Sequence, residues 1–316
     1  MLYSALKIIG QPAIRIFCKR VDIDDPSFLR EKGPLLLAAN HPNSFLDAII
    51  LDLYFEMPIY SLARGDAFYS PSVTRILTAL KILPVYRTSE GVENLSDNYK
   101  TFDSCLDLFR KNGVVLMFSE GKCINEWHLR PLKKGTARLA IKAWEEGIPL
   151  KVLPVALNYD SFDKLGKTVI IRFGKMIHKE DIPFDQPDGQ RNNAFNQLLR
   201  AELEKGVFEI DKQDEEKRAA LFQSKSQVWK KIALAVPALL GWLTHAPLYL
   251  PLRAWARKKY LRSDHYDSVM MGLLLLAYPV YLILFTLVVS LLLPIGLGAL
   301  GCFLLLPLLA WCYVQV

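Results

Sequence analysis

The residues best suited to chemistry are His41 and Asp47, which lie in the segment NHPNSFLD at positions 40–47. An imidazole held by a carboxylate can act as a general base. On an unbroken helix these two residues would point about 240° apart, so they can meet only if His41 lies in the turn before the helix. Pro42 favours that turn because a proline pushes the residue before it out of helical geometry.

The same segment has a structural interpretation. Ser44 and Asp47 have the spacing of a capping box ahead of an apolar run, so Asp47 could instead hold amide groups at the start of a helix. Capping and catalysis are also compatible, since Ser44 could cap the helix while Asp47 faces His41.

The surrounding elements predict an α/β fold with a mostly parallel sheet covered by helices. The apolar run 35–39 delivers His41 to the helix start, and helical patterns separate it from the other apolar runs. Further strands are predicted over residues 21–23, 59–63, 82–85, 114–118, 152–157 and 168–173. In such sheets ligands bind beyond the carboxyl ends of the strands, where His41 and Asp47 would lie.

Four blocks occur in order along this region: N-H-x5-D at 40–47, Arg87, Phe118-Ser119-Glu120-Gly121, and Leu153-Pro154-Val155. Together they resemble the blocks of the lysophosphatidate/glycerol-phosphate acyltransferase family, the PlsC-like enzymes, over residues 33–156. Five residues separate the histidine from the aspartate, where most members have four. This spacing is similar to the variant found in some eukaryotic glycerol-phosphate acyltransferases.

The resemblance implies a role for each block. His41 would be the general base and Asp47 would orient it, while acyl-CoA or acyl carrier protein would supply the fatty acyl group, with no other cofactor and no metal. The acceptor would be lysophosphatidate or glycerol 3-phosphate, with an aminoacyl lipid or another lyso-lipid as the alternative. The implied substrate-binding residues are Asn40, Arg87, Glu120, Gly121, Lys122, Arg130 and Lys133.

Two positions depart from the family pattern. Ser119 replaces the usual proline, and Cys123 stands where an arginine usually follows the glycine by two residues. The second change removes a cation from the expected phosphate contact, although Lys122 is adjacent.

Other classes of function have less support. No G-x-S-x-G motif marks a hydrolase nucleophile, although Ser44, Ser119 and Cys123 are near enough to be candidates. No H-E-x-x-H motif marks a metal site. A non-catalytic lipid-binding protein would not need His41, Asp47 and Glu120 together. The net charge of +7 suits anionic lipid or an acidic substrate better than nucleic acid. The five cysteines form no C-x-x-C pair, which indicates a reducing compartment.

The charge pattern divides the chain into four parts, three of which precede residue 232. Residues 1–20 suggest an amphipathic helix on a membrane or on its own domain, 21–210 the acyltransferase domain, and 211–231 a charged linker helix. No signal peptide is apparent, so the catalytic domain is expected in the cytoplasm.

Residues 232–316 should associate with the membrane. No charged residue occurs from 268 to 316, and residues 269–314 predict a transmembrane hairpin. A buried hairpin of a soluble domain is the alternative. Residues 232–252 have basic flanks on both sides and three prolines, which favours an interfacial or re-entrant segment over a true span.

Overall fold

The structure is a computed structural model that describes residues 2–85, 95–223, 228–292 and 298–316. Its strands are β1 (Cys18–Ile23), β2 (Leu35–Ala39), β3 (Ile59–Arg64), β4 (Ile82–Val85), β5 (Val114–Phe118), β6 (Lys151–Tyr159) and β7 (Lys167–Phe173). Its helices are α1 (Leu2–Phe17), α2 (Ser44–Tyr54), α3 (Pro71–Ala79), α4 (Leu95–Arg110), α5 (Lys134–Glu145), α6 (Asp188–Gly206), α7 (Glu215–Phe222), α8 (Val228–Tyr260), α9 (Tyr266–Leu292) and α10 (Gly298–Gln315).

The strands form one seven-stranded sheet in the order β1-β7-β6-β2-β5-β3-β4. All neighbouring pairs are parallel except β6 and β7, which are antiparallel. β2 lies in the middle, and each of its five residues is 0% exposed, as expected of an apolar strand covered on both faces. The predicted α/β fold with a mostly parallel sheet is therefore confirmed.

Two apolar clusters cover the two faces of the sheet. On one face, α1 and α2 pack together with Ala256 near the end of α8 and with the first turns of α9. On the other face, α4, α5 and α6 supply the core, in which Trp144 and Phe195 are central. The start of the apolar C-terminal region is thus part of the core of the α/β domain.

The Leu-Pro-Val block at 153–155 lies inside β6, within the predicted strand 152–157, and pairs with residues 37–39 of β2. The linker helix expected at 211–231 is shorter. α7 covers only Glu215–Phe222, with Asp214 accepting the backbone N–H of Lys217 at 2.9 Å as its N-cap. Residues 228–231 already belong to α8.

The N-terminal helix packs on its own domain, while its predicted contact with a membrane stays a prediction. One face of α1 packs on the domain: Tyr3 donates to Asp52 Oδ1 at 2.5 Å, and Lys7 Nζ donates to the Phe55 carbonyl at 2.6 Å. The other face leaves Ile8 and Ile9 73% and 52% exposed, an apolar surface suited to lipid.

In the described residues of the C-terminal region, α8 and α9 are joined by a turn at 261–265. α8 is one continuous helix of 33 residues through Pro237, Pro247 and Pro251, so residues 232–252 form no broken, re-entrant segment, and their interfacial placement stays a prediction. Transmembrane helices tolerate prolines that would break a helix in a soluble protein. α8 and α9 are both long and apolar enough to cross a membrane. Among the described residues of the predicted hairpin 269–314, α9 alone meets that test, since α10 is counted as a shorter apolar helix.

Candidate active site

The centre of the site is the turn between β2 and α2. The turn places His41 ahead of the helix, as Pro42 predicts, and the His41 Nδ1 atom lies 2.8 Å from Asp47 Oδ2. Ser44 begins α2 with a positive φ of 50°, an uncommon conformation for a residue other than glycine. Asn43 is the N-cap residue, and neither its side chain nor that of Ser44 caps the helix, so the capping role expected for Ser44 was wrong.

The Asp47 carboxylate is fully buried and has three hydrogen-bond donors. Besides the His41 ring, the backbone N–H of Asn43 donates to Oδ2 at 2.8 Å, and the Tyr159 hydroxyl donates to Oδ1 at 2.7 Å. Asp47 therefore does hold an amide at the helix start, while it also binds His41. Burial, followed by the nearby Asp47 charge, raises the pKa of Tyr159 well above its ordinary value, so its hydroxyl remains a donor.

The His41 ring is oriented by a stacking contact as well as by Asp47. The ring stacks on Phe118, with centroids 3.7 Å apart and an interplanar angle of 10°. Its side chain is 17% exposed. With Nδ1 facing the carboxylate, Nε2 is the nitrogen left for a substrate, and it has no hydrogen-bond partner among the described residues. A ring fixed in this way has the arrangement of a general base.

Glu120 connects the two loops at this edge of the sheet. Its Oε2 accepts the backbone N–H of His41 at 2.9 Å, and its Oε1 accepts the backbone N–H of Arg130 at 2.8 Å. Burial raises the pKa of the Glu120 carboxyl, although these two N–H groups oppose the shift. The carboxylate therefore positions His41, while the substrate contact predicted for it stays a prediction.

Asn40 is also engaged with the protein backbone. Its amide donates to the Leu157 carbonyl at 3.0 Å and accepts the Leu157 N–H at 2.8 Å. These bonds continue the pairing of β2 with β6 beyond Ala39. They give Asn40 a structural role, and its predicted contact with substrate stays a prediction.

The predicted phosphate-binding residues surround the loop that follows β5. Gly121 has a φ of +68°, and a Cβ there would lie 3.0 Å from Lys133 Cγ, so glycine suits this turn. Lys122 and Lys133 are exposed. Arg130 is half-buried, and its Nη1 is a buried donor without a hydrogen-bond partner among the described residues. Arg87 lies outside the described residues.

Cys123 occupies the place of the family's arginine and faces inward. Its Sγ accepts the backbone N–H of Ser44 at 2.9 Å and lies 3.7 Å from the Asp264 carbonyl oxygen. Burial is the main cause that raises the pKa of the Cys123 thiol well above its ordinary value. A protonated, buried thiol is a poor nucleophile, so Cys123 acts here as a packing residue of the turn.

Sequence reasoning missed Tyr159 and Phe118 as parts of the site. The β2–β6 register pairs Ala39 with Val155, so Tyr159 extends beyond the same edge of the sheet as His41, a signal that parallel pairing could have provided. No pattern in the sequence indicated that Asp267 and Ser268, at the start of α9, contact the turn that carries His41. Across the described ranges, no group of three or more His, Cys, Asp and Glu side chains is placed to hold a metal ion.

All four sequence blocks lie within a segment that matches a known family model. Residues 20–158 match the family model described as Acyltransferase. Among solved structures, the chain is similar to the 1-acyl-sn-glycerophosphate acyltransferase PlsC from Thermotoga maritima, at 15% identity and a TM-score of 0.47, over 70% of this chain and 81% of that one. A search of curated proteins gave no match. The matched segment contains the histidine, the aspartate and the Glu-Gly turn.

Proposed function

We propose that this protein is a membrane-bound O-acyltransferase that transfers a fatty acyl group from acyl-CoA or acyl carrier protein to a hydroxyl of lysophosphatidate or glycerol 3-phosphate. The observation that carries the proposal is the His41–Asp47 pair, 2.8 Å apart, at the carboxyl edge of the sheet of an acyltransferase-family domain. The carboxylate is held on both oxygens, and Nε2 is left for the substrate.

The reaction follows from this arrangement. His41 Nε2 accepts the proton of the acceptor hydroxyl while the hydroxyl oxygen attacks the thioester carbonyl carbon. The buried Asp47 carboxylate stabilises the imidazolium that forms. The carbon–sulfur bond then breaks, and His41 returns its proton to the leaving thiolate. No acyl-enzyme is needed, which agrees with a buried, protonated Cys123.

Support for a phosphorylated acceptor comes from the loop beyond β5. Arg130 is half-buried, its Nη1 has no hydrogen-bond partner among the described residues, and guanidinium groups bind phosphate well. Lys122 and Lys133 add positive charge nearby in the loop. The inward-facing Cys123 favours a second candidate, a lyso-lipid without a phosphate such as an aminoacyl lipid, because it removes one cation from this loop.

The direct test uses the full-length protein purified in detergent. It is incubated with labelled acyl-CoA or acyl carrier protein and a panel of acceptors, with and without phosphate. Transfer by the wild type should fall by about 10²- to 10⁴-fold in His41→Ala and in Asp47→Ala. The matched control is His178→Ala, which removes an exposed histidine outside the site.

Each outcome has a distinct meaning. Unchanged transfer in His41→Ala would refute the proposed base. Transfer only to phosphate-free acceptors would refute lysophosphatidate and glycerol 3-phosphate in favour of the second candidate. Binding of lipid without transfer from either donor would indicate a non-catalytic lipid-binding protein.

Membrane insertion needs a separate experiment. α8 and α9 are the supporting elements, since both are long and apolar enough to span. Membranes that contain the protein are washed with alkaline carbonate, which releases peripheral proteins. We expect the protein to stay in the pellet, with the catalytic domain on the cytoplasmic side and sensitive to protease there. Complete release by carbonate would contradict integral insertion.

A further inference from the structure

The turn that carries His41 is held by contacts with the C-terminal region of the chain. Hydrogen bonds join it to the α8–α9 junction and the first turn of α9. Asn43 Nδ2 donates to Asp267 Oδ2 at 2.9 Å, Ser44 Oγ lies 2.7 Å from His265 Nδ1, and the N–H of Leu46 donates to Ser268 Oγ at 3.1 Å. The residues on the two sides of these contacts are separated by more than 220 positions.

Asp267 is fixed by a buried ion pair. Its carboxylate contacts Lys167 at the start of β7, and the side chains of Lys167 and Asp267 are 0% and 2% exposed. A buried ion pair is weak evidence for added stability, because removing two charges from water opposes the attraction between them. It does fix the direction of the carboxylate. Here the same oxygen, Oδ2, contacts Lys167 and accepts the Asn43 amide.

Asn43 transmits this anchoring to the proposed base. Its side chain is held by Asp267, and its backbone N–H donates to Asp47 Oδ2, the oxygen that also contacts His41. The next residue, Ser44, has the uncommon positive φ, and such a conformation persists only when surrounding contacts hold it. The position of the Asp47 carboxylate therefore depends on contacts made by α9.

We infer that Asp267, held by Lys167, is a positioning residue for acyl transfer that acts through Asn43 on the His41–Asp47 pair. The inference rests on the proposed acyltransferase function for its kinetic part. It makes the docked start of α9 part of the active site, although α9 otherwise has the features of a membrane helix.

The test compares Asp267→Asn with the wild-type full-length enzyme. Asparagine keeps the size of the side chain and removes its charge, so we expect kcat to fall about tenfold or more, while KM for acyl-CoA changes less than about twofold. Hydrogen exchange of the peptide that contains residues 41–47 should become faster. Glu31→Gln is the matched control, because it breaks the Lys151–Glu31 ion pair away from the site.

A second variant keeps the test decisive if Asp267→Asn folds poorly. Asn43→Ala removes the amide but leaves the Lys167–Asp267 pair in place, and it should show the same loss of kcat. In the double variant the two losses should not multiply, because both act through one contact. An unchanged kcat in Asn43→Ala, or multiplied losses, would overturn the inference.

Hydrogen exchange separates the two proposals. If the wild type transfers no acyl group, the proposed function fails, and faster exchange at residues 41–47 in Asp267→Asn still supports the positioning contact. If exchange in this peptide is unchanged while the wild type is active, the positioning contact is refuted and the acyltransferase proposal stands.

Discussion

The most discriminating prediction concerns Tyr159→Phe, which removes one hydroxyl and little else. Both Tyr159 and Asp47 are 0% exposed, so water cannot replace the 2.7 Å hydrogen bond to Asp47 Oδ1 without rearrangement. Hydrogen bonds to charged groups contribute about 1.5–3 kcal/mol, so the free energy of unfolding should fall by about 2 kcal/mol at pH 7. Without this hydrogen bond the Asp47 carboxylate is held only at Oδ2 and orients His41 less well, so kcat should fall by about tenfold.

Tyr3→Phe is the matched control. It removes another tyrosine–aspartate hydrogen bond, 2.5 Å long, between α1 and Asp52. Denaturant unfolding in detergent and the acyl-transfer assay are applied to both variants. Tyr3→Phe should keep the wild-type kcat. If Tyr159→Phe also keeps it and loses less than about 0.5 kcal/mol, the hydroxyl does not hold the carboxylate.

The pH dependence of Tyr159→Phe provides an independent check. Burial raises the pKa of Tyr159 well above its ordinary value, whereas a tyrosine in the unfolded chain ionises near pH 10. The stabilisation is therefore fully present below about pH 10 and is lost as the pH rises toward the folded-state pKa. The wild type should lose more stability than Tyr159→Phe between about pH 9 and pH 11. Parallel curves for the two proteins would contradict this assignment.

Three further predictions concern other parts of the structure. Glu120→Gln should lower kcat by about tenfold, because an amide NH₂ cannot accept a backbone N–H. The acyl-transfer assay checks this loss, and an unchanged kcat in the variant would contradict the positioning role of Glu120. Because burial raises the pKa of the Cys123 thiol, this thiol should resist iodoacetamide at pH 8 until the protein is denatured. Mass spectrometry measures the labelling, and rapid labelling of the native protein would contradict this expectation. Gly241→Ala should lower the thermal stability of the helical region, because its Cβ would lie 2.1 Å from the Leu309 carbonyl oxygen, while Gly272→Ala, which meets open space, should not.

Sequence reasoning was most successful where the signal was local. The apolar runs identified the strands, and Pro42 indicated that His41 lies before the helix. The structure shows partners of Asp47 and Asn43 that no local sequence pattern could reveal. Tyr159 reaches Asp47 across 112 positions, and Asp267 reaches Asn43 across 224. Such contacts depend on which strands and helices pack side by side, which one sequence does not specify.

The main error concerned proline. Pro237, Pro247 and Pro251 suggested a broken segment, yet α8 continues through all three. In this helix tertiary packing or an apolar environment outweighed the local preference of proline.

The distance along the chain between Asn43 and Asp267 also has a consequence for biogenesis. A ribosome that adds about 5–20 residues per second makes Asn43 roughly 10–45 s before Asp267. During that interval the turn with His41 exists without the carboxylate that holds it. Translation and placement of α9 therefore set the earliest time at which the turn can be completed, so acyl transfer by newly made chains should appear only after α9 has packed against the turn.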